Sequence, residues 1–172
     1  MPSFLASERS NKLPSTATGN VTSETQITGS DGNVLICPIP GSNVLKNRRF
    51  TIRYSGHGTS GTTSTLALKF YLGTSTTISS NSALCTITSA SFASGSHSFF
   101  GEIVLYAESV GSTIEGYYTG TAVNTLITTA VVTAQSSFNP ATEGQGFTVT
   151  ALFGSTNASN TFVMDTFELI PD

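Results

Sequence analysis

The feature that most constrains this chain is a period of two that keeps returning. In "TLALKFYL", Leu66, Leu68, Phe70 and Leu72 alternate with Ala67, Lys69 and Tyr71. In "RRFTIRY", Phe50, Ile52 and Tyr54 alternate with Arg49, Thr51 and Arg53. That spacing sends successive side chains to opposite faces of a sheet. No apolar pattern of period 3.6 lasts three turns, and the nearest approach, "TLITTAVVTAQSSF", is rich in β-branched residues that favour a strand. Strands are expected at "SETQITG", at "NVLICPIP" after the Asp31-Gly32 turn, and over 48–55, 65–73, 83–88, 97–109, 113–122, 125–138, 146–154 and 161–170. Gly, Asn and Ser clusters separate them at the intervals of a sandwich or barrel.

So many short strands must hide both their edges and one apolar face each, and two packed antiparallel sheets do so. The expected fold is all-β: a jelly-roll-like antiparallel β-sandwich of about eight to ten strands. An immunoglobulin-like sandwich stands second, because the chain has no Trp and no Cys…Trp…Cys spacing. At 172 residues the chain suits one such domain. Residues 21–172 are assigned to it, behind an extended N-terminal arm of residues 1–20. The arm is polar, with Phe4, Leu5 and Leu13 as its apolar handles. Ordering it costs about 1–2 kcal/mol per residue, which a partner surface must offset. It reads as an assembly arm or an unstructured tail.

One motif points elsewhere. "GHGTSG", residues 56–61, matches the G-x-G-x-x-G spacing of dinucleotide-binding loops. The fingerprint works only where a strand enters and a helix leaves, because the helix N-terminus holds the phosphate. Here strand-like residues lie on both sides, and the expected acidic residue about twenty positions on is missing. The stretch is read instead as a glycine-permissive connection between two strands, with His57 in the turn.

Nothing else in the chain assembles a reaction. His57 and His97 belong to no motif with metal-ligand spacing. Glu102, Glu108, Glu115, Glu143, Asp165 and Glu168 are scattered, and no Ser occupies a nucleophile elbow. The chain is read as a non-enzyme with no cofactor and no metal. Cys37 and Cys85 each sit in an apolar run and read as buried free thiols; a disulfide would need their Cα atoms within about 7 Å. Asn20 and Asn157 open N-x-[ST] triplets, which chance supplies in a chain so rich in hydroxyls.

Charged residues make up only 10% of the chain, and Ser and Thr together roughly three in ten. A hydroxyl-covered surface repels itself weakly, which suits packing against copies of itself or other proteins. The net charge of −3 argues against free nucleic acid as a partner. No run approaches the roughly eighteen apolar residues of a membrane span, so no membrane partner is expected. The N-terminus lacks a charged segment followed by an apolar one, so no conventional secretory signal is expected. The one basic concentration is "LKNRRFTIR", in which Arg49, Thr51 and Arg53 would share a strand face.

The series "GNVLICPIPGSNVLKNRRFTIRYSGHGTS", "TLALKFYLGTSTTIS" and "NTFVMDTFELIPD" resembles a β-sandwich module of tailed-bacteriophage virion structural proteins, in pattern and order across residues 25–170. The resemblance implies a capsid decoration or cement protein, located on the capsid surface of the virion, that forms a homotrimer and binds the major capsid protein. On that reading Phe4, Leu5, Arg9 and Lys12 of the arm, with Lys46, Arg48 and Arg49, face the shell. The alternative is a receptor- or glycan-binding domain of a head fibre, tail fibre or spike. For that role "EGYYTG" supplies the one obvious aromatic pair, Tyr117 and Tyr118, which reads equally as one surface and one core residue of a strand.

Overall fold

The computed structural model describes residues 8–9, 13–15, 18–19, 23–39, 48–74, 77–107, 114–122, 125–131 and 145–171. Twelve strands run through them: β1 (Glu8–Arg9), β2 (Thr18–Gly19), β3 (Thr25–Gln26), β4 (Ile36–Pro38), β5 (Arg48–Ser60), β6 (Leu66–Gly73), β7 (Ser82–Thr88), β8 (Gly95–Ala107), β9 (Ile114–Ala122), β10 (Thr125–Val131), β11 (Gly146–Phe153) and β12 (Thr161–Pro171). A single 3-10 turn, Ile78–Ser80, precedes β7. The large sheet has the order β1-β12-β5-β8-β9-β10, with β2 also on β12; the small sheet runs β3-β11-β6-β7, with β4 also on β11. Every pairing is antiparallel. The expected all-β, two-sheet sandwich is therefore the fold.

The alternation in the sequence sorts the faces. Phe50, Ile52 and Tyr54 of β5 turn inward toward Leu66, Leu68, Phe70 and Leu72 of β6, and all are buried. Aromatic rings tie the sheets together: Phe70 of the small sheet lies 5.1 Å from Tyr54 and 6.3 Å from Phe167 of the large one, centroid to centroid. Phe50 and Phe147 meet across the same gap at 6.0 Å. These tilted contacts are the arrangement ring quadrupoles prefer.

In β12 the alternation breaks, since Phe162 and Met164 point inward but so do Phe167 and Leu169. A bulge between Met164 and Thr166 accounts for it: Asp165 is an extra residue, and the parity of inward positions flips across it.

The GHGTSG stretch is a correction to the sequence reading. It is not a connection: Gly56, His57, Gly58, Thr59 and Ser60 continue β5. Gly56 and Gly58 occupy inward positions where a side chain has no room. A Cβ on Gly58 would come within 3.0 Å of Phe99 and 3.3 Å of Leu66, and one on Gly56 would run into the Val163 carbonyl and the Phe162 ring. Their absence of side chains lets Phe99 and Phe162 meet edge to face at 6.0 Å. Positive φ is found instead at Gly32, in the Asp31-Gly32 turn predicted from sequence, and at Gly95.

The described part of the arm lies on the sandwich. Glu8 and Arg9 pair with Leu169 and Glu168, and Thr18 and Gly19 with Phe162 and Thr161. Between them the buried Ser15 donates its N–H to Met164 O (2.9 Å) and accepts the Met164 N–H on Oγ (2.7 Å). These residues cover the outer edge of β12, a row of backbone groups that would otherwise be open to strand addition.

Both cysteines are buried, as expected, and neither is part of a disulfide. In the order β4-β11-β6-β7 three strand spacings separate Cys37 from Cys85, about 14 Å at about 4.8 Å each, twice the reach of a disulfide. Burial pushes the Cys85 thiol up to about 12, so it carries no thiolate near neutrality.

Candidate functional site: the two outward sheet faces

The outward side chains of the large sheet come from β5 (Arg49, Thr51, Arg53, Ser55, His57), β8 (Ser98, Phe100, Glu102, Val104, Tyr106), β12 (Glu168, Ile170) and β9 (Tyr117). Register sets their rows. Arg53 stands between Glu102 and Glu168, with Arg9 next beyond Glu168. Arg53 donates from Nε and Nη2 to Glu102 Oε1 at 3.0 and 2.8 Å, and its Nη1 lies 3.9 Å from Glu168 Oε1. The basic stripe expected from Arg49 and Arg53 is thus interleaved with carboxylates. Beside this row stand three large apolar side chains in the open: Phe100 at 52% exposure, Tyr106 at 46% and Tyr117 at 41%. Thr51 and Val104 between them face outward yet are only 7% exposed, because their bulky neighbours close over them.

His57 projects from the same face, and its Nδ1 lies 2.9 Å from Asp165 Oδ2. The bulge in β12 is what turns Asp165 toward it. Ser98 is opposite His57 in register, so a serine, a histidine and an aspartate share one row. No hydrogen bond joins the serine to the imidazole, whose Nδ1 is taken up by Asp165. His97, within the expected strand 97–109, lies in β8, half-buried, with its ring 5.0 Å from Phe92 and Nε2 3.1 Å from Ala93 O.

The small sheet presents a cleft of about 340 Å³ lined by Glu24, Gln26, Tyr71, Thr77, Ile78 and Thr150. Its floor is Tyr71 and Thr150, outward residues of β6 and β11 that are nonetheless buried. One wall is Glu24 with Gln26 of β3, the other Thr77 and Ile78 at the 3-10 turn. Glu24 Oε1 accepts from the Tyr71 hydroxyl and from Thr150 Oγ1 (2.9 Å), while Oε2 lies 3.5 Å from Lys69 Nζ. The ammonium also sits 5.0 Å from the centre of the Tyr71 ring. Burial alone would raise the Glu24 carboxyl, but the Tyr71 and Thr150 hydroxyls and the Lys69 charge outweigh it and hold the group below its ordinary value. Lys69 is raised by its contact with the Tyr71 hydroxyl and by Glu24, and Tyr71 by burial and by its bond to Glu24.

Of the predicted contact residues, Arg9, Arg48 and Arg49 fall on strands of the large sheet, Arg49 exposed beside Tyr106 in register. Phe4, Leu5, Lys12 and Lys46 lie outside the described residues. Tyr117 and Tyr118 divide as one surface and one core residue: Tyr118 packs on the core and donates its hydroxyl to Thr86 O at 3.0 Å, joining the two sheets. Phe100 and Tyr106 were missed, although "SHSFFGEIVLYA" places both on the polar phase of its alternation. Glu24 carried no signal, since Tyr71 and Thr150 are 47 and 126 positions away. Asn157, a candidate acceptor triplet, folds its Oδ1 back onto the Ser159 N–H at 2.8 Å. Among the described residues no group of three or more His, Cys, Asp or Glu could hold a metal ion, and no helix is long and apolar enough to cross a membrane.

No protein-family model matches the chain, and no curated protein matches it.

Proposed function

We propose that this chain is a non-enzymatic virion structural protein, a capsid decoration or cement protein that self-associates, as a homotrimer, and braces neighbouring subunits of the major capsid protein on the capsid surface. The observation that carries the reading is the large sheet's outer face, where Phe100, Tyr106 and Tyr117 stand exposed beside an alternating row of Glu168, Arg53 and Glu102. Aromatic residues and Arg are the types enriched at protein interfaces, and rings at the centre of a patch supply most of the binding energy. Of this row Arg53 and Glu102 are the exposed charges while Glu168 is buried beside Arg53, so a partner meets one charge of each sign and little net field.

The winding agrees with the class. The strand pairs are nested, with β1 and β2 on β12, β3 and β4 on β11, β5 on β8, and β6 on β7. We take this as a jelly roll, with β9 and β10 added as a hairpin beyond β8. The sequence resemblance to phage virion modules supplies the location.

The test is sedimentation velocity of the full chain beside the double variant Phe100→Ser/Tyr117→Ser, followed by binding of each to capsids stripped of the protein. An oligomer that falls to monomer in the variant, with lost capsid binding, is expected. A wild-type monomer at tens of micromolar, or capsid binding that survives in the variant, sinks the reading. Deleting residues 1–20 is the weaker experiment, because it also removes the partners of β12.

A further inference from the structure

We propose that the cleft on the small sheet is a saccharide subsite, selecting an uncharged sugar that presents adjacent hydroxyl groups. The inference goes beyond the assembly reading, lies on the opposite sheet, and survives if that reading fails.

Volume and lining set the class of ligand. About 340 Å³ is at the lower end of the range for small-molecule sites, roughly 300–1,000 Å³. Its lining is polar: the Glu24 carboxylate, the Gln26 amide and the hydroxyls of Thr77, Thr150 and Tyr71, the last two donating to Glu24 and left as acceptors. A sugar hydroxyl both donates and accepts, so neighbouring hydroxyls pair with a carboxylate and an amide set side by side, as Glu24 and Gln26 are. Ile78 supplies an apolar surface for the sugar's C–H groups.

Charge narrows the class. Among the described residues of the lining Glu24 is the one carboxylate, its carboxyl is held below the ordinary value by the Tyr71 and Thr150 hydroxyls and Lys69, and Lys69 at 3.5 Å offsets its charge. A cationic ligand would have to displace Lys69, and among the described residues a divalent cation would find a single carboxylate where it takes six or more oxygens. An acidic sugar would meet Glu24. A neutral one meets a dipole.

The site is also built in advance of any ligand. Glu24 is fixed by two hydroxyls and an ammonium, and Tyr71 and Thr150 stand on paired strands, so binding orders few groups. Two of the four lone-pair sites on the carboxylate take these hydroxyls, and Oε2 keeps room to accept from a ligand.

The experiment is an array of neutral and acidic oligosaccharides probed with the full chain, then calorimetric titration of the retained glycan into wild type, Gln26→Ala, Thr77→Ala and Tyr117→Ala. A neutral glycan is retained, Gln26→Ala weakens it about tenfold or more at an unchanged melting temperature, and Tyr117→Ala leaves it unchanged. Should Gln26→Ala fold poorly, Thr77→Ala on the opposite wall carries the same expectation. Retention of acidic glycans alone, retention of none, or affinity indifferent to both wall variants overturns the proposal. Loss on Tyr117→Ala with the wall variants intact overturns it too, and places sugar binding on the large sheet.

Discussion

The two outward faces of this sandwich use the same backbone for opposite ends. On the large sheet the strands are long, the surface is open, and aromatic rings protrude between charges that are already matched across the ladder. On the small sheet Tyr71 and Thr150 are equally outward in phase but are roofed over by Glu24, Lys69 and the 3-10 turn, leaving a recess rather than a plane. A plane suits a large partner that buries area, and a recess suits a small ligand that satisfies hydrogen bonds. The difference lies in what reaches over each face from outside it, not in the strands themselves.

The strongest way to break the comparison is to cut what both faces share. Phe70 is fully buried and touches Tyr54 and Phe167 across the sheet gap. Phe70→Ala is expected to cost about 3–5 kcal/mol in urea unfolding. It should disturb the large sheet's outer face and the cleft together; loss of one alone would mean that the sheets hold their outer faces independently.

A smaller effect separates the faces. Because Glu24 is held below its ordinary value when folded, its contribution is fully present above about pH 4.3, the usual carboxylate value, and is lost as pH falls through the lowered one. Wild type should therefore exceed Glu24→Gln in stability at pH 7, with the gap closing below about pH 4. A gap that is the same at pH 3 and pH 7 would show that the charge of Glu24 does not organise the cleft.

The smallest effect is on the large sheet. Arg53 and Glu102 are 52% and 41% exposed, so solvent screens their pair. Glu102→Gln should cost no more than about 1 kcal/mol, and less in high salt. A larger, salt-insensitive loss would mean that the ladder is structural rather than a surface kept for a partner.

Much of the fold was legible because strands announce themselves locally. The expected segments 48–55, 65–73 and 83–88 meet Arg48–Ser60, Leu66–Gly73 and Ser82–Thr88, and 97–109, 146–154 and 161–170 meet Gly95–Ala107, Gly146–Phe153 and Thr161–Pro171. "SETQITG" and "NVLICPIP" proved shorter, Thr25–Gln26 and Ile36–Pro38, since each pairs only briefly with β11. The end of β5 was misread because glycines usually signal a turn, whereas Gly56 and Gly58 serve the packing of Phe99 and Phe162, which lie about forty and a hundred positions further on. The cleft was illegible for the same kind of reason, since nothing near Glu24 marks it.

Alternation of period two indicated, from sequence alone, that this chain would be sheet and that Phe50, Ile52 and Tyr54, like Leu66, Leu68, Phe70 and Leu72, would share one face, because backbone geometry imposes that period on a strand. The apolar runs around Cys37 and Cys85 marked both as interior. What neither pattern could fix is which strand lies beside which. Only the tertiary structure set Arg53 between Glu102 and Glu168, Asp165 beside His57, and Glu24 over Tyr71 and Thr150, because register and sheet order depend on pairings between residues far apart in the chain.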